Sequence, residues 1–123
     1  MLLSNYTGKY RRIIQRLLYM IVTEKRNNME ILIENNVVTI NGNIKSIVDY
    51  QEIKLAIDTV IKEHKSLTVR IPESISITSS IIGYLNKLIL KEKINLNMII
   101  GNGQLLDLLD DLNLQTLFKA KQG

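Results

Sequence analysis

Residues 75–89 read ISITSSIIGYLNKLI, an apolar run broken by three consecutive hydroxyl residues, Thr78, Ser79 and Ser80. Where a helix begins, such hydroxyls offer two chemistries. One can accept a hydrogen bond from a backbone N–H of the first turn and cap the helix, worth about 1 kcal/mol relative to Ala. Another, left outward, can accept a phosphate, which the helix N-terminal N–H groups and the helix dipole tolerate. The added charge of −1.5 to −2 would then repel a protein surface that had packed there. A cap needs only one hydroxyl, and loops are rich in hydroxyls anyway. The residue types alone leave both readings open.

Other chemistry-bearing groups are sparse. The string GNGQ at Gly101–Gln104 sits between a strand and a helix, a place where phosphate can bind. It lacks the Lys and the length of a P-loop and reads as a plain turn. Asp107, Asp110 and Asp111 lie close together on one helix, without a second acidic cluster or a His, and read as a solvated face. The single His64, in KEHK, has no partners for a metal site or a triad and reads as a solvated residue near a helix C-terminus. The chain has no Cys, hence no thiolate ligand, no disulfide framework and no Cys nucleophile. No spaced set of acid, base and metal ligands appears, so the sequence reads as non-enzymatic, with no cofactor and no metal.

The elements that must carry these residues follow from the hydrophobic pattern. The 123 residues suit one domain, and 46% hydrophobic content supplies its core. Tyr10, Ile13, Ile14, Leu17, Leu18 and Ile21 recur at helical spacing, with Arg11, Arg12, Gln15 and Arg16 on the other side. Residues 1–28 carry six basic side chains against Glu24 alone, a net of +5, whereas residues 29–123 net −1. The basic character therefore belongs to an N-terminal arm, and the body shows no footprint for nucleic acid. The arm is too short and too charged to span a bilayer. Three settings remain open for it: an anionic lipid surface, packing on its own domain, or packing on a second copy as a homodimer. A start of translation at Met29, where the first strand begins, is a further alternative.

From residue 29 the spacing predicts strands at Met29–Ile33 and Val37–Asn41 around a hairpin turn at ENN, closed by Gly42 with a positive φ. A helix follows over Asp49–His64, with apolar stripe Tyr50, Ile53, Ile57, Val60 and Ile61 and with Asp49 and Glu52 as its capping box. Leu67–Ile71 is a strand stopped by Pro72. The hydroxyl-led helix buries Ile82, Leu85, Leu88 and Ile89. Asn95–Ile100 is another strand. A last helix from about Gln104 buries Leu105, Leu108, Leu109 and Leu112, and a short second piece covers Leu114–Phe118. The order β-β-α-β-α-β-α gives an α/β fold, a mixed sheet of four to five strands with helices packed on it. The domain division is 1–28 and 29–123.

This order, with VVTINGNI, ITSSIIGYLNKL and LLDLLDDLNLQTLFKA, resembles the STAS domain family of sulphate transporters and anti-sigma factor antagonists. The likeness covers about residues 29–121, and ITSSIIGYLNKL carries most of it. Its counterpart in the family is commonly I-D-S-S-G-L-G; here Thr78 stands at the Asp and Ile81 at the first Gly. The resemblance implies a bacterial, cytoplasmic regulator of transcription that binds a kinase or anti-sigma factor and is released by phosphorylation. It implies Ser79 as phosphoacceptor, with Ser80 and Thr78 as alternatives, and Thr78, Ser79, Ser80, Ile81 and Ile82 as partner-binding residues. Some stand-alone relatives instead serve lipid-transport ABC complexes at the inner membrane and bind the ATPase subunit, a setting that suits a basic amphipathic arm.

Overall fold

The computed structural model describes residues 29–123, so the expectations for the arm lie outside the described residues. Eight elements follow in order: β1 (Glu30–Glu34), β2 (Val37–Asn41), α1 (Ile47–Ile61), β3 (Ser66–Ile71), α2 (Ser79–Leu90), β4 (Asn95–Ile100), α3 (Gly103–Asp111) and β5 (Ala120–Gln122). The sheet runs in the order β1-β2-β3-β4-β5. β1 pairs antiparallel with β2, and every other pair is parallel.

Each parallel step is a strand, a crossover and the next strand over. Right-handed crossovers to successive neighbours in one direction put the covering segments on a single face. The strands record this directly. Leu67, Val69 and Ile71 of β3 are buried and alternate with Ser66, Thr68 and Arg70, which are not. Val38 stands opposite Val69, Val69 opposite Met98 and Ile71 opposite Ile100, so the buried side chains line up in rows across the sheet. Onto these rows α1 lays Ile53, Ile57 and Val60, α2 lays Ile81, Tyr84, Leu85 and Leu88, and α3 lays Leu105 and Leu109.

Several local expectations are refined. α1 begins at Ile47, capped by Ser46, whose side chain accepts from Asp49 N at 3.1 Å. Asp49 is therefore the third helical residue of the capping box rather than the cap, and Glu52 plays no part in it. α1 ends at Ile61, leaving His64 half-buried in the connection to β3. Gly42 does take a positive φ, 92°, and Asn35 supports the hairpin turn with φ 56°.

The largest departure is at the C-terminus. No helical piece covers Leu114–Phe118; tight turns there bring Phe118 N to Leu114 O and Ala120 N to Gln115 O, each at 2.9 Å. Phe118 is buried, and the chain emerges as β5 beside β4, Met98 against Ala120. The sheet therefore has five strands, within the expected range, and the order gains a final β. Leu108 and Leu112 are exposed rather than buried, because α3 turns Leu105 and Leu109 to the sheet.

Candidate functional site

The C-terminal ends of β2, β3 and β4 and the N-termini of the three helices form one rim. The segments that build it are laced together by hydrogen bonds. Gly42 N donates to Glu73 Oε1 (3.3 Å), Ile44 N to Ser74 Oγ (3.0 Å), and Ile75 N to Asn43 Oδ1 (3.2 Å). The Ser76 hydroxyl donates to Ile44 O at 2.8 Å, and the Ser74 hydroxyl donates to Ser76 O at 2.7 Å. Ser74 is fully buried. Burial of a hydroxyl is tolerated when it both donates and accepts, as this one does.

Thr78 is the N-cap of α2, its side chain accepting from Ile81 N at 3.3 Å. Three of the five hydroxyls between residues 74 and 80 thus have structural partners. The remaining two are Ser79 and Ser80, at the first two positions of α2. Ser79 is exposed, Ser80 is half-buried, and neither hydroxyl has a hydrogen-bond partner among the described residues. Ser79 therefore lies at a helix start and within reach of a visitor.

The five residues expected to meet a partner separate here. Ser79 is open, while Thr78, Ser80 and Ile82 are half-buried on the rim. Ile81 is corrected: it is 2% exposed and belongs to the core, because the first turn of α2 directs it at the sheet. Apolar residues that the sequence reading left out stand exposed on the same rim: Ile75 in the β3–α2 loop, and Ile47 and Val48 in the first turn of α1.

In the neighbouring loop the first donors of α3 already have an acceptor. The N-cap of α3 is Asn102, whose Oδ1 accepts from Gln104 N (2.8 Å) and Leu105 N (3.3 Å), taking up donors that a phosphate would need. Gly101 donates to Ile71 O at 2.9 Å, and a Cβ there would collide with the Pro72 carbonyl. That close approach explains the glycine. Asp107, Asp110 and Asp111 are all exposed, as expected. Among the described residues no group of three or more His, Asp or Glu could hold a metal ion, and no helix is long and apolar enough to cross a membrane.

Behind the rim, α1 and α2 meet through a polar cluster missed in the sequence. The Tyr84 hydroxyl donates to Asp58, and Asp58 also accepts from Lys54 Nζ at 2.8 Å. The Lys54 ammonium lies 5.4 Å from the centre of the Tyr84 ring, and Tyr50 meets that ring edge-on at 6.4 Å. Burial, then the bond to Asp58 and its charge, pushes the Tyr84 phenol far above its usual range. Burial also pulls the Asp58 carboxyl upward, but Lys54 and Tyr84 together outweigh it and leave it below its ordinary value. The Lys54–Asp58 spacing of four was legible as a helical ion pair; the Tyr84 partner, 26 residues on, was not. Comparison with protein-family models, curated proteins and solved structures returned no match to this chain.

Proposed function

We propose that this chain is a regulatory protein-binding module resembling the STAS-type anti-sigma factor antagonists. It docks on a kinase or anti-sigma partner through the rim around the start of α2, with Ser79 as the phosphoacceptor. One observation carries the reading: Ser79 is the exposed hydroxyl, without a partner among the described residues, in a segment whose Ser74, Ser76 and Thr78 hydroxyls are already engaged. Exposed Ile47, Val48 and Ile75 supply apolar contact area on the same rim. A phosphate on Ser79 would sit at the N-terminus of its own helix, where backbone N–H groups can donate to its oxygens, and would present its charge to the docked surface.

The test is a pull-down from the native host with Ser79→Asp beside the unaltered protein, paired with phosphate mapping after incubation with ATP and lysate. Loss of a specific partner in the variant and modification at Ser79 support the switch. Identical partners and no modification at Thr78, Ser79 or Ser80 leave a constitutive scaffold.

One observation favours a second reading. Thr78 stands where the family commonly has Asp, and its hydroxyl is committed to capping α2. A module that is never phosphorylated has no need of that Asp. As a subunit of a lipid-transport ABC complex, the chain would co-purify with a transporter ATPase rather than with a kinase.

A further inference from the structure

The two edges of the sheet are unlike. β5 is three residues long with Lys121 at its centre, short and charged as edges that resist pairing usually are. β1 stands at the other end of the sheet, with β2 as its one neighbour in the strand order. It is five residues long, EILIE, and leaves Leu32 50% and Ile33 49% exposed, one on each face of the sheet.

The direction of its backbone groups follows from its neighbours. Thr68 N of β3 donates to Asn36 O at 2.9 Å, so Asn36 and, by alternation, Val38 turn their backbone groups toward β3. Val37, Thr39 and Asn41 turn theirs to β1, where they meet Glu34, Leu32 and Glu30. The N–H and C=O groups of Ile31 and Ile33 are left pointing off the sheet edge. The side chains alternate in step. Ile31 and Ile33 stand on the helix face, opposite the buried Ile40 and Val38, while Glu30, Leu32 and Glu34 stand on the open face.

The residues of this edge select what can pair with it. EILIE reads the same in both directions, so a second copy pairing antiparallel, Leu32 on Leu32, would set Glu30 against Glu34 twice. Like charges directly opposite each other oppose pairing. A strand that fits carries Lys or Arg opposite each glutamate and apolar residues between them, opposite Ile31, Leu32 and Ile33.

We propose that β1 takes up an extended segment of a partner protein by strand addition, the segment reading basic–apolar–apolar–apolar–basic. Main-chain bonds to Ile31 and Ile33 hold it, and the two carboxylates choose its charge. The proposal is independent of the role assigned to Ser79. Two synthetic peptides test it, GKVLVKG and GEVLVEG, with amide hydrogen exchange in the full chain followed by NMR. In the free chain the Ile31 and Ile33 amides exchange at least about tenfold faster than that of Leu32, which faces β2. GKVLVKG slows Ile31 and Ile33 by at least about tenfold and leaves Leu32 as it was. GEVLVEG needs about tenfold more peptide for the same effect, and Glu34→Lys narrows that preference. Equal protection by the two peptides, or protection by neither, overturns the proposal. So does slow exchange of Ile31 and Ile33 in the free chain, which assigns the edge to another part of this chain or, where it grows with protein concentration, to a second copy.

Discussion

The Ser74 hydroxyl accepts the N–H of Ile44 at 3.0 Å across 30 residues of sequence, and both residues are buried. This bond fixes the loop after β2 to the loop after β3, and so sets the position of the first turns of α1 and α2 relative to each other.

Ser74→Ala would strand the buried Ile44 N–H. The expected loss is about 1–3 kcal/mol of unfolding free energy. Ser79→Ala should stay within about 0.5 kcal/mol of the unaltered protein, because its hydroxyl is exposed. Urea titration of the two variants side by side checks the contrast, and equal losses would remove the distinction between structural and available hydroxyls.

Tyr84→Phe removes the bond to Asp58 and should cost about 1 kcal/mol near neutral pH. The pH profile carries more information. A phenol whose folded-state pKa is raised contributes stability that is complete below its unfolded value, about 10, and is lost as pH rises beyond it. Unfolding free energy should therefore fall above about pH 10, and the fall should be shallower in Tyr84→Phe. Asp58 acts at the other end: its carboxyl is depressed, so its contribution is present above the unfolded value of about 3.9 and is lost on further acidification. Denaturation at a series of pH values in both proteins reads both limbs.

Gly83 lies inside α2, is exposed, and a Cβ there would touch nothing within 4 Å. Gly83→Ala should stabilise the fold by about 0.5–1 kcal/mol. It stands one turn beyond Ser79 on the same outer side of α2. If a partner approaches that side closely, the same substitution weakens partner capture while raising the melting temperature. A more stable variant with unchanged capture places the contact elsewhere on the rim.

Gly101→Ala meets the opposite fate. Its Cβ would be driven into the Pro72 backbone, which has no flexible end to move aside. A loss of about 2–3 kcal/mol is expected, measured by thermal or urea unfolding.

Much of the fold was legible because period and punctuation are local. The alternation in Leu67–Ile71, the run Asn95–Ile100 and the hydroxyls before α2 each declare their element within a few residues. β5 was invisible for the same reason: Ala120–Gln122 has no alternation, and it becomes a strand only because Phe118 is anchored in the core and β4 has a free edge to pair with. The α1 start was misplaced by two residues because Ser46 and Asp49 both suit a cap, and only backbone geometry separates them.

At the rim, the sequence by itself determined that a helix begins at a run of three hydroxyls. It could not rank those hydroxyls, since Thr78, Ser79 and Ser80 are chemically alike and adjacent. Tertiary structure decided which ones are occupied: Thr78 by its own helix, Ser74 and Ser76 by a loop some thirty residues away, with Ser79 turned to solvent. It also took Ile81 inward and brought Ile47 and Ile75 to the rim. The physical reason is that hydrogen-bond saturation and burial depend on distant segments, which short-range spacing does not encode.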